Sequence, residues 1–207
     1  MTKKLTWKVS LVLLLFPAAA WAQMPLPTGS GPAISASLGY SYVSLPIPSL
    51  TRIGLNGGGA SIGVDFRSRF GAKIDVNYAR AANVFNTGRH ADVLTYMLGP
   101  LFYPVRNDRW SVYIEALAGG GRVTGVVPNA ANGFDTAYAD GLAWAVGGGI
   151  ERRISPALGI RTEFDYLHTT FTDSSAVFRG QNDLRFTGSL IYRWAWHWGG
   201  RPDHRHF

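Results

Sequence analysis

Residues 72–78 read Ala72-Lys73-Ile74-Asp75-Val76-Asn77-Tyr78, apolar at every even position and charged or amide-bearing at every odd one. A period of two places Ala72, Ile74, Val76 and Tyr78 on one face of an extended strand and Lys73, Asp75 and Asn77 on the other. A helix would mix the two sets around its circumference. The same alternation recurs at 34–42, 60–66, 94–102, 112–118, 142–150, 158–166 and 184–194, which makes eight strands. Short links at 67–70, 104–109 and 153–157 alternate with long ones at 44–57, 80–91, 122–141 and 169–182. Such alternation predicts an antiparallel up-and-down order with both termini at the short-turn end.

The fold class turns on which face meets solvent. The face carrying the charges is otherwise Gly, Ser, Thr and Ala, too small and too sparsely ionic for a solvated wall but suited to the crowded inside of an eight-stranded barrel. The opposite face, with Ile62, Ile74, Ile114, Ile160 and Leu190, is nearly free of charge. It carries aromatics toward its ends, among them Tyr40, Tyr42, Phe66, Tyr78, Phe102, Phe164, Tyr166, Tyr192 and Trp194. An apolar band between aromatic girdles is the pattern of a lipid-facing wall. The expected fold is all-β, an eight-stranded antiparallel up-and-down transmembrane β-barrel. A soluble β-barrel, with the faces exchanged, is the alternative.

Lys3, Lys4 and Lys8 precede an apolar run from Val9 to Ala20 and the small-residue pattern Ala20-Trp21-Ala22. This is the form of a cleaved secretory signal peptide over residues 1–22; its apolar stretch is short for a membrane-spanning helix. A short N-terminal segment at 23–32, the barrel at 33–194 and an aromatic and His-containing tail at 195–207 complete the expected organisation. Without the leader, the chain's 20 basic residues fall to 17 against 13 acids, so the formal charge drops from +7 to +4 and nucleic acid loses its claim as a partner. With 46% hydrophobic and 16% charged residues and no Cys, neither disorder nor a disulfide scaffold fits.

Segments Leu55–Ile62, Tyr96–Pro100, Ile114–Gly120, Ala145–Ile150 and Phe164–Leu167 resemble the bacterial outer-membrane protein β-barrel domain family, small surface barrels of the OmpA type, over roughly residues 33–194. The resemblance implies a monomer in the outer membrane of a Gram-negative-type bacterium. Its partners would be outer-membrane lipid and lipopolysaccharide, the barrel assembly machinery and a surface or host ligand met by the loops. It implies no cofactor. The final-strand insertion signal of the family is matched by Leu190, Tyr192 and Trp194, with Phe207 at the end of the tail as a competing terminal aromatic.

The inward set reads as a structural ion-pair network of Asp65, Asp75, Glu115, Glu151, Glu163 and Asp165 with Lys73, Arg161, Arg185 and Arg193, since charges in a packed lumen must be paired. A narrow ion path is the competing reading, and a glycosidase pair at Glu163 and Asp165 fails because no sugar could enter. Basic residues at the loop feet, Arg52, Arg80, Arg89, Arg122 and Arg179, suit lipopolysaccharide phosphates. Some small outer-membrane barrels are lipid A deacylases, so His168 with Ser174 and Ser175, or His90 with Asp92, supports a lipid-modifying alternative. The His-Tyr-Ser-Asn sequence of those enzymes is absent. His197, His204 and His206 lie on a tail with no enforced geometry for a metal, and the Gly57–59, 119–121 and 147–149 runs lack the Lys-Ser/Thr of a phosphate loop. The expected function is non-catalytic, stabilising the envelope or presenting loops for adhesion and recognition.

N-terminal sequencing of protein recovered from fractionated envelopes should give Gln23 as the first residue, in the outer-membrane fraction. A soluble periplasmic species would contradict the reading.

Overall fold

The computed structural model describes residues 33–47, 50–66, 69–82, 84, 88, 90–107, 109–128, 134–172 and 178–195. Eight strands follow in order: β1 (Ala33–Ile47), β2 (Leu50–Asp65), β3 (Phe70–Ala81), β4 (Ala91–Arg106), β5 (Trp110–Pro128), β6 (Phe134–Arg153), β7 (Leu158–Thr172) and β8 (Phe178–Ala195). Each pairs antiparallel with its sequence neighbour, and β1 closes onto β8 from Ala33↔Ala195 to Ser44↔Leu184. Closure leaves no sheet edge, the condition for a β-structure to sit in lipid.

The two faces separate as the alternation requires. Ile62, Ile74, Ile114 and Leu190 are 54%, 58%, 55% and 66% exposed, and Ile160 is exposed beside them, while Lys73, Asp75, Glu115 and Arg161 are buried. In a water-soluble protein that distribution would be inside out.

Strand lengths depart from the sequence reading. The links expected at 44–57, 122–141 and 169–182 are mostly strand: β1 and β2 stay paired to Ile47↔Leu50, β5 and β6 to Pro128↔Phe134, β7 and β8 to Thr172↔Phe178. Only 80–91 keeps a long connection, between Ala81 and Ala91. Lipid enforces alternation only across the apolar core. Beyond it the backbone ladder continues with no face to keep apolar, so the periodicity fades while the pairing persists. About 9–11 residues suffice for a strand to cross a bilayer, whereas β5 and β6 have 19 and 20.

The extended strands also bring inward apolar side chains that no alternation had marked. Val43, Leu45, Leu55, Ala79 and Val93 pack together, with Ile53, Ala81 and Val123 against them, at the long-hairpin end of the interior. Met97, Leu117, Ala143 and Ala145, inward by the alternation itself, form a second cluster with Leu167. β4 is irregular between Phe102 and Val105, where its pairing with β5 shifts register. The shift leaves Tyr103 buried and Val105 exposed.

Arg at Ile114, placed at mid-depth on the outer face, should cost about 2–4 kcal/mol of folding free energy, and Arg at Val105, beside a short turn, about 0–1 kcal/mol. Urea unfolding in lipid vesicles measures both. Equal costs would mean that the exposed face does not meet lipid.

Candidate functional site in the barrel lumen

Local register assembles the lumen's charges before any long-range packing is considered. Glu151 lies directly across from Arg161 on β6 and β7, and Asp165 across from Arg185 on β7 and β8. Arg161 Nε donates to Glu151 Oε1 at 2.8 Å, and Arg185 Nε to Asp165 Oδ2 at 2.9 Å. Arg193, further along β8, bonds the second oxygen of Glu151.

The remaining contacts cross the lumen. Lys73 on β3 extends its ammonium to Glu115 on β5 at 2.9 Å and to Glu163 on β7 at 2.5 Å. Arg185 spans from β8 to Asp75 on β3 at 2.6 Å. Tyr113 donates its hydroxyl to Glu163 at 2.5 Å and carries the Arg161 guanidinium 5.3 Å above its ring. Space for this web comes from missing side chains: a Cβ on Gly147 would overlap Asp165 Oδ1, and one on Gly149 would stand 2.6 Å from the Tyr113 hydroxyl. These glycines leave room for polar groups rather than for a turn or a ligand.

All ten charged residues of the expected network face the interior, Arg193 half-buried and the rest buried. Two further participants were not marked by alternation. Arg106, from the irregular end of β4, donates to Asp65 at 2.6 Å, and Tyr103 donates to the other Asp65 oxygen at 2.9 Å. Asp183 on β8 is fully buried across from Leu167, and among the described residues its carboxylate makes no ion pair. Position 183 falls between the link at 169–182 and the alternating segment at 184–194, although the odd parity it shares with Arg185 and Thr187 marks it as inward.

The other candidates lie elsewhere. Arg52, Arg80 and Arg122 are exposed on the long-hairpin side. Arg122 makes a two-point pair with Asp140, Nε to Oδ1 at 2.6 Å and Nη2 to Oδ2 at 3.0 Å. Those bonds hold the Asp140 carboxyl below its usual range. Arg89, Ser174, Ser175, His197, His204, His206 and Phe207 fall outside the described residues, as do residues 1–32, and of Arg179 only the backbone is described. His168 stacks on Trp144 at 5.1 Å between ring centroids, and its Nδ1 lies 2.5 Å from Asn182 Oδ1. Asn182 takes Nδ1, the nitrogen of an orienting partner, and among the described residues no hydroxyl is bonded to Nε2. His90 Nε2 is 3.5 Å from Asp92, with no hydroxyl bonded to the pair among the described residues. Leu190, Tyr192 and Trp194 point outward at the closing strand, the two rings 5.9 Å apart. Among the described residues no three His, Cys, Asp or Glu side chains gather as a metal site.

A closed eight-stranded barrel with a polar packed lumen and an apolar, aromatic-rimmed outside coincides with the model of the outer membrane protein beta-barrel domain, which matches residues 9–191. The chain belongs to that family. Its place is the outer membrane of Gram-negative bacteria. Solved barrels share the fold at low identity. The attachment invasion locus protein Ail of Yersinia pestis superposes with a TM-score of 0.57 at 15% identity, covering 79% of this chain and 99% of Ail. Neisserial surface protein A gives 0.58 at 11%, covering 79% and 97%. A major outer membrane protein of Thermus thermophilus gives 0.54 at 12%, covering 79% and 99%. Ail is also known in complex with the heparin analogue sucrose octasulfate. No curated protein matches the chain.

Lys73→Met leaves Glu115 and Glu163 without their shared cation and should cost about 3–5 kcal/mol. Adding Glu115→Gln should recover part of that loss. Asp183→Asn removes a buried charge with no ion-pair partner and is expected to stabilise by about 1–3 kcal/mol. Equilibrium unfolding of the four proteins decides these signs.

Proposed function

We propose that this outer-membrane barrel is a non-catalytic surface protein whose lumen is a structural core and whose long hairpins are its working parts. The observation that carries the reading is the pairing of Lys73 with Glu115 and Glu163 from opposite sides of the interior. A cation held between β5 and β7 fills the cross-section a solute would need, and an eight-stranded barrel has no width to spare. The ion-pair residues then serve stability, and function passes to what projects. β5 and β6 extend well beyond the length a bilayer requires, and Arg52, Arg80 and Arg122 stand exposed on that side. A sulfated or otherwise anionic surface ligand suits those guanidinium groups. The complex of the similarly folded Ail with a heparin analogue supports this ligand class at the level of fold alone. Cleavage of residues 1–22 and insertion guided by Leu190, Tyr192, Trp194 or Phe207 belong to the same reading.

A lipid A-modifying activity is the second reading, and the stacking of His168 on Trp144, with no hydroxyl bonded to its Nε2 among the described residues, speaks for a girdle residue instead. The test has three arms. Planar-bilayer recording should show no stable porin-sized conductance. Mass spectra of lipid A from deletion and overexpression strains should be identical. Cells expressing the barrel should adhere to heparin-coated surfaces, and the triple variant Arg52→Ala/Arg80→Ala/Arg122→Ala should abolish adhesion while leaving a folded barrel. A changed lipid A acylation pattern would turn the assignment toward the enzyme.

A further inference from the structure

The outer wall is not uniformly filled. Between β3 and β6 a groove of about 550 Å³ runs over the floor made by Ala118 and Gly120, with Ile74, Tyr96, Leu98 and Leu142 as its walls. The depression arises because two consecutive outward positions of β5 carry almost no side chain. At Gly120 a Cβ would collide with the Tyr96 hydroxyl, so the Tyr96 ring leans over the vacant position. Register places the charged rim directly above. Gly120 faces Leu142, and two residues on, about 7 Å along the strand, Arg122 faces Asp140 and Leu94. One further row brings Arg80 opposite Asp92.

That rim carries both signs. Arg122 and Asp140 are 54% and 56% exposed at their side chains, and Asp140 engages only Nε and Nη2 of the guanidinium. Asp92 lies near His90. A purely anionic headgroup would use the Arg forks but leave Asp140 and Asp92 unengaged, and a neutral one would leave the Arg forks unused. A headgroup with a phosphate and a primary ammonium satisfies both, phosphate on Arg122 and Arg80, ammonium hydrogens on the carboxylates.

We infer that the β3–β6 groove seats one acyl chain of a lipid whose phosphoethanolamine-type headgroup is held by Arg122, Asp140, Arg80 and Asp92. The chain fills the apolar floor and the headgroup sits at the aromatic girdle near Tyr78 and Tyr138. Arg80 and Arg122 are shared with the anionic surface ligand proposed above, so lipid and ligand compete for these two groups, while the acyl groove itself is separate from the hairpins.

Native mass spectrometry of the detergent-solubilised, folded barrel tests it, with phosphatidylethanolamine, phosphatidylcholine and phosphatidylglycerol of the same chain length supplied in turn. One phosphatidylethanolamine is expected to remain bound at activation energies that strip the other two. Ala118→Phe, which fills the floor from the lipid side, should lower its retention at least tenfold, and Ala118→Leu should do so to a smaller degree. Ala60→Phe, on the outer face of β2, should leave retention unchanged. The double variant Asp92→Asn/Asp140→Asn should erase the preference over phosphatidylcholine, whose quaternary ammonium has no hydrogen to donate. Migration of unheated samples on gels confirms a folded barrel in each case. Retention untouched in folded Ala118→Phe or Ala118→Leu would overturn the groove, and equal retention of the three lipids by the unaltered protein would overturn the headgroup assignment.

Discussion

Lys73 is the point on which the interior depends. Its ammonium lies between the carboxylates of Glu115 and Glu163, on strands that the barrel places on different sides of the lumen. Removing a charge from water is costly, and the cost is offset only where opposite charges and hydrogen bonds meet it at close range. Here the compensation is spread: Glu163 also accepts from Tyr113 and lies 3.8 Å from Arg161, whose other bonds go to Glu151, which in turn holds Arg193. Each of these charges meets its ion partner on another strand, while Asp165 Oδ1 and Arg193 Nη1 are buried with no hydrogen-bond partner among the described residues. The network therefore ties β3, β5, β6, β7 and β8 together across the lumen, in addition to the ladder that joins each strand to its neighbours.

This arrangement bears on function through exclusion. On the reading proposed above, a lumen crossed by ion pairs at several heights, with the apolar side chains of Val43, Leu45, Leu55 and Val93 packed at the long-hairpin end, serves as a structural core. The glycines of β6 belong to the same economy of space, since side chains at 147 and 149 would displace Asp165 and Tyr113 from their partners. What distinguishes one such barrel from another must then lie on the lipid-facing wall or on the hairpins, and both carry particular features here: a groove beneath a rim of mixed charge, and strands of 19 and 20 residues. The low identity of the similarly folded barrels fits this division, because a lumen of ion pairs and a wall of apolar residues can be met by many sequences, and shared architecture does not carry shared ligands.

Alternation alone determined the number of strands, the face that each side chain takes and the inward direction of all ten network charges. Lipid outside and tight packing inside penalise a side chain on the wrong face at every membrane-spanning position, and a penalty at every position is legible in one dimension. Three things only the tertiary structure decided. Where lipid no longer imposes the penalty, pairing runs on through segments read as loops, so hairpin length and the apolar cluster around Leu55 escaped notice. The register shift between Phe102 and Val105 brings Arg106 to Asp65, and a one-residue irregularity leaves no trace in a period-two count. The choice of partners among the charges depends on barrel closure: parity says that Lys73 points inward, but only the closed cylinder brings β7 within its reach.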